Sequence, residues 1–252
     1  MSIRFFASIC PIIFSLAILG GESFATSTTH IWAPSTDVQG FKVWHVTSDI
    51  YIPEKKEATG NRLPAVTNIG LTVGVLPFKR VNAELGFDHK SGLGMIDNYP
   101  FYGNFKIGIP ENSFGKFSPA LAVGVFDIGT KRRTTDYNVF YGKLARTFEI
   151  GKWPLGRVSL GIFSGNSKLL LNRLGEKDNS GFFGAWERTI KEVSDKIWFC
   201  IEYMGTESVY GSANFGASWK FAPNVSIVGG YNIYNISTFV NTATLQVDID
   251  FY

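Results

Sequence analysis

Cysteine is nearly absent. The 252-residue chain has two, Cys10 and Cys200, and Cys10 falls in an N-terminal apolar stretch that reads as a removable leader. The mature chain then keeps one thiol and no internal disulfide. Histidine is as scarce: His30, His45 and His89 are scattered, which gives no ligand spacing for zinc or haem, so neither a metal nor a cofactor is expected. Charged residues are 18% of the chain, below the roughly one quarter usual for globular proteins. A net charge of +3 supplies no concentrated basic stripe and argues against nucleic acid as a partner. After Ala25 no run of about 18 apolar residues occurs, which excludes a membrane-spanning helix there.

Enzyme motifs are missing too. No G-x-S-x-G elbow occurs, and Gly124 to Lys131 resembles a phosphate loop only with its Lys and Thr reversed. An acyl hydrolase, the enzyme alternative, needs a nucleophile activated by histidine. His30 precedes the folded domain, His45 falls on the polar face of its segment, and His89 beside Asp88 sits at a strand end, so no such pair is placed. Asp97 is a lone loop carboxylate and makes no calcium site. The chain reads as not an enzyme.

What is present begins with an export signal. Arg4 is followed by an apolar stretch from Phe5 to Gly21 and by Ser23, Phe24 and Ala25 as a small-x-small cleavage site. Beyond it, alternation with period two recurs. Ile69, Leu71, Val73 and Val75 alternate with Asn68, Gly70, Thr72 and Gly74, and Ala243, Leu245, Val247, Ile249 and Phe251 alternate with Thr242, Thr244, Gln246, Asp248 and Asp250. One apolar and one polar face is the mark of a strand between two environments. Such runs predict about twelve strands, near 41–52, 65–76, 80–89, 101–109, 118–128, 137–150, 156–164, 181–190, 196–204, 209–221, 225–234 and 239–252. The division is a leader at 1–25, a lead segment at 26–40 that lines, plugs or flanks the domain, and one β-domain at 41–252.

Alternating strands can form a soluble sandwich, with apolar faces packed together, or a membrane barrel that turns them to lipid. Strands of about ten residues, an even strand count, mostly alternating short and long connections, and aromatics at strand ends favour the barrel. Phe78, Trp153, Phe221 and Phe251 would mark one interface, with Tyr51, Tyr99, Phe101, Tyr137, Tyr234 and Phe239 near the other. With the leader and the aromatic C-terminal Tyr252, these features make the mature chain resemble bacterial outer-membrane β-barrel proteins. The resemblance implies an all-β, closed antiparallel transmembrane barrel of about 12 strands in the bacterial outer membrane. It also implies lipid and lipopolysaccharide as surroundings and the barrel assembly machinery as a partner. In that family the final aromatic continues the apolar face. Here that face ends at Phe251, so either Phe251 is the recognised residue or a bulge shifts the end.

If the apolar residues face lipid, the pore lining comprises His45, Asp49, Glu84, Lys106, Lys143, Arg157, Glu202, Lys220, Asp248 and Asp250, with Asp88, Asn104 and Gln246 beside them. Both charge signs are present, as suits a narrow channel for small hydrophilic solutes. The alternative is a scaffold barrel that sheathes or anchors a protein partner in its lumen. Arg146 is out of register, sharing the lipid face with Leu144 and Phe148 unless a bulge or the headgroups accommodate it. Closure would bring His45 near Gln246 and Asp248, a pairing that would couple conductance to pH. Lys131, Arg132 and Arg133 form a basic surface loop suited to anions such as lipopolysaccharide phosphates.

Overall fold

The alternating runs become twelve antiparallel strands: β1 (Trp44–Pro53), β2 (Val66–Gly74), β3 (Asn82–Ser91), β4 (Phe101–Ile109), β5 (Ala120–Gly129), β6 (Val139–Ile150), β7 (Trp153–Ser164), β8 (Ser180–Thr189), β9 (Ile197–Gly205), β10 (Ser212–Ala222), β11 (Val225–Tyr234) and β12 (Thr242–Phe251). The computed structural model describes residues 29–56, 60–151 and 153–252, so the leader at 1–25 lies outside the described residues. Each strand pairs with its sequence neighbours and β1 pairs with β12, which leaves no free sheet edge. This closed barrel is not the sandwich alternative.

Period-two alternation sorts the side chains. On β12, Leu245 faces outward while Thr244, Gln246 and Asp248 are buried inside. On β6, Phe140 and Leu144 face outward and Tyr141, Lys143 and Ala145 inward. The outward band is apolar, as contact with lipid requires. Phe78, Trp153 and Phe221 are exposed at the end that carries the short turns after β6 and β10. Phe251 ends its strand there opposite Trp44, in a register without a bulge, so Phe251 continues the lipid-facing row and Tyr252 follows the strand.

The second aromatic ring needs correction. Phe101 faces outward, but Tyr51 shares the parity of His45 and Asp49 and is buried inside against Trp32. Tyr137 and Tyr234 likewise line the interior. Outward aromatics at this level are instead Phe140, Phe182 and Tyr203.

Two local features break the simple period. Between β4 and β5 a bulge sets two residues, Phe126 and Asp127, against Asn104, and Asp127 takes a positive φ of 53°. Phe126 and Asp127 both turn inward as a result. Arg146 does face outward, and the connection 110–119 curls back to meet it. Its guanidinium forms an ion pair with Glu111 at 3.0 Å and donates to Asn112 Oδ1 and to the Ser118 and Lys116 carbonyls. Arg146→Ala should therefore loosen this connection, raising tryptic cleavage after Lys116 about tenfold in the folded protein, a loss of roughly 1.4 kcal/mol. Unchanged cleavage would show that Arg146 does not hold it.

Candidate functional site

A twelve-stranded bore is wider than its own side chains can fill. Here the two halves of the wall differ. Strands β6 to β9 project Tyr141, Phe163, Phe183 and Met204, which pack with Leu170 and Tyr210 from the loops. Strands β2 to β5 carry small residues at Gly70, Thr72, Gly86, Ala122 and Gly124, and on this side, lined among others by Thr72 and Gly86, space remains.

The lead segment occupies part of that space. Residues 29–34 form a tight loop, with His30 N–H donating to the Ala33 carbonyl. Its next backbone amides converge on one buried carboxylate: Trp32 N donates to Glu202 Oε1 at 2.7 Å and Ala33 N to both Glu202 oxygens at 3.2 Å. Ile31 N adds a longer bond at 3.4 Å and Asn214 Nδ2 one at 2.8 Å. Successive amides curled around an anion form a nest, and such charge-assisted bonds are the strong kind. Gln246 Nε2 donates to the Ile31 carbonyl at 2.7 Å, and Lys143 Nζ to the Pro34 carbonyl at 2.8 Å. Ala33 is completely buried against Tyr141, Phe163 and Phe183.

Residues 35–40 then cross the short-turn end. Lys106 pairs with Glu84 at 3.1 Å and donates to the Asp37 carbonyl at 2.7 Å, while Glu84 accepts from Gln39 N at 2.8 Å. Arg157 binds both oxygens of Asp37 at 2.8 Å, donates to Thr36 Oγ1 and lies 3.5 Å from Glu187. The chain passes so close to β2 that a Cβ on Gly74 would stand 1.9 Å from the Gly40 carbonyl oxygen. Most of these wall groups read the segment's backbone, and together they satisfy charges that would be costly if buried alone.

His45 contacts Asp250 through Nδ1 at 2.8 Å and Asp248 through Nε2 at 3.4 Å, and Asp250 also accepts from Gln39 Nε2. Gln246 lies opposite Asp49 and serves the lead segment rather than His45. Asp49 faces the open half, where it accepts from Thr47 and Asn68. Lys220 is half-buried on the inward parity of β10. Asp88 points inward and His89 outward onto Phe101, so they form no dyad. Lys131, Arg132 and Arg133 are exposed in the 130–138 loop at the long-loop rim, with Lys131 over the Tyr99 ring. Asp97 caps its own loop by accepting from the Gly92 and Leu93 amides.

Sequence reasoning missed Lys90, Asp127 and Glu187 as interior groups, and the part His30, Asp37 and Gln39 take. Lys90 continues the row of Asp88 along β3, so parity alone could have found it. Glu187 lies opposite Arg157 in the β7–β8 register and faces inward with it.

Beside the lead segment a cavity of about 550 Å³ remains. It reaches from Leu93, Ile96 and Phe239 at the long-loop rim to His45, Thr72, Glu84 and Lys106 near the short-turn end. Trp32 and Pro34 form one side and Asp49, Asn68 and Asp88 the other.

Exchanging Glu202 for Gln removes the charge that collects the amides of 31–33. The loss of about 3 kcal/mol should raise the released population of the segment roughly a hundredfold. A cysteine in place of Ala33 should resist a membrane-impermeant maleimide in the parent chain and react in the Glu202→Gln background, with Cys200 itself buried and silent. Equal labelling in both would contradict the arrangement.

No known protein family and no curated protein matches the chain. Among solved structures it is similar to the NanC porin, with a TM-score of 0.47 and 11% identity over 83% of this chain and 99% of that one. An outer membrane channel from Pseudomonas putida F1 aligns with a TM-score of 0.48 and 10% identity over 91% and 99% of the two chains. Omp33 of Acinetobacter baumannii aligns at 0.45 and 9% over 84% and 100%. With its closed twelve-strand wall, outward apolar band and polar interior, the chain has the architecture of a membrane-spanning β-barrel.

Proposed function

We propose that the protein is an outer-membrane channel for small hydrophilic solutes whose bore is closed, in the observed state, by its own residues 29–40. The observation that carries this reading is the cavity beside the segment, which extends along the polar wall of β1 to β4 from the long-loop rim to the Glu84–Lys106 pair. Long loops mark the extracellular side in such barrels, so the solute enters above and meets the floor of residues 35–40 below. The floor at 35–40 is held by polar bonds that exchange with water at a small net cost each, whereas Ile31 and Ala33 above it sit in apolar clusters and set the main cost of release. Displacing the segment toward the periplasm converts the cavity into a continuous polar path. The mixed charges of Glu84, Lys106 and Asp248 then lie along that path and set its ion preference.

Planar-bilayer conductance of the refolded mature chain tests this, once slower gel migration after heating has shown a folded barrel. The parent chain should give small or infrequent steps. Removal of residues 29–40, or Gly74→Ala, which forces a Cβ against the Gly40 carbonyl, should give larger and longer ones. Neutralising Glu84, Lys106 or Asp248 in the opened form should shift ion selectivity. A folded barrel that passes no current in any of these forms would sink the channel reading.

A further inference from the structure

The cavity's charges do not balance. Its cations are already committed: Lys106 to Glu84 at 3.1 Å, Lys90 to Asp127 at 2.5 Å, and His45 to Asp250 and Asp248. Asp49 and Asp88, both on the cavity wall, have no ion-pair partner among the described residues. They are joined through one amide, Asn68 Nδ2, which donates to Asp49 Oδ2 at 3.1 Å and to Asp88 Oδ1 at 3.3 Å. Their other donors are neutral as well, Thr47 Oγ1 to Asp49 and Asn104 Nδ2 to Asp88. The Lys90 charge is shared between Asp127 and Asp88, and Asp49 has only carboxylates as its nearest charges, so acids outnumber cations along this wall and create a potential that draws a further cation and repels an anion.

The rest of the lining is aromatic. Trp32 and Tyr51 meet edge to face with centroids 5.1 Å apart, and Tyr102, Phe126 and Tyr141 continue the surface. A cation already uses this surface, since Lys90 Nζ stands 4.8 Å from the centre of the Tyr102 ring. Two glycines make room for the wall side chains that face the cavity. A Cβ on Gly70 would lie 2.6 Å from Asp88 Oδ1 and 2.7 Å from the Thr47 methyl, and one on Gly86 would lie 2.8 Å from Thr72 Oγ1. A volume of about 550 Å³ is within the range of small-molecule sites, roughly 300–1,000 Å³, where an apolar lining with a few fixed polar groups is the rule.

From this geometry we infer that the cavity binds organic ammonium compounds with a flat apolar body, the ammonium held between Asp49 and Asp88 and the body against Trp32 and Tyr51. The inference names the solute class of the proposed channel and rests on that reading for its transport meaning. Binding itself is independent of conduction. An inorganic cation would satisfy the charge but leave the aromatic side without a partner. A neutral aromatic would do the reverse.

Calorimetric titration of the folded, full mature chain in detergent with three probes that share one ring separates these cases. Tryptamine should bind saturably with one site, tryptophol at least tenfold more weakly, and indole-3-acetate not at all. Asp49→Asn and Asp88→Asn, which keep size and shape, should each weaken tryptamine about tenfold and leave tryptophol unchanged. The parent chain's ranking of the three probes stands even if a variant fails the heat-mobility check. Tryptophol binding as tightly as tryptamine, tryptamine unaffected by either variant, or no saturable binding by any probe would overturn the inference. Conductance without ammonium binding would overturn it alone, whereas ammonium binding without conductance would overturn only the channel reading.

Discussion

A twelve-strand barrel encloses more room than its inward side chains can fill, and this chain sends charged side chains into that room. Buried charges must find partners, because an unpaired one costs several kcal/mol. The residues before β1 provide them. Glu202 gathers the amides of 31–33, Lys143 and Lys106 reach carbonyls of 34 and 37, and Arg157 grips Asp37. Remove that segment and Glu202, Lys143 and Arg157 lose their principal partners together.

The same constraint produces the asymmetry of the interior. Bulky residues on β6 to β9 and the apolar side of the lead segment make a dry cluster around Ala33 and Phe183. Glycine, alanine and threonine on β2 to β5 leave the opposite side open, and the acidic ladder from Asp49 through Asn68 and Asp88 to Asn104 runs along it. The β6–β9 half thus anchors residues 29–34, while Glu84 and Lys106 on the other half hold residues 37 and 39 beneath the cavity.

The wall was legible because the period of two is dictated by the pleat, and lipid on one side with polar groups on the other writes that period into nearly every strand. Predicted ranges such as 101–109 and 225–234 coincide with β4 and β11. What alternation cannot express was lost. The bulge at Phe126 and Asp127 shifts parity within one strand, and Arg146 is accommodated by a loop distant in sequence. Tyr51 has the residue type of an interfacial aromatic, but its parity with His45 turns it inward. The segment 26–40 carries no periodic signal, and its bonds to Glu202 and Gln246 span 170 and 215 residues, so only the folded wall reveals where it goes.

Residues 29–40 lie inside the barrel with the amides of 31–33 and 39 on lumen carboxylates. Amide hydrogen exchange of Ile31, Trp32, Ala33 and Gln39 in the folded protein measures this most directly. Protection at these four should be comparable to that of neighbouring strand amides. Exchange at the rate of an unstructured chain, with the strands themselves protected, would contradict it.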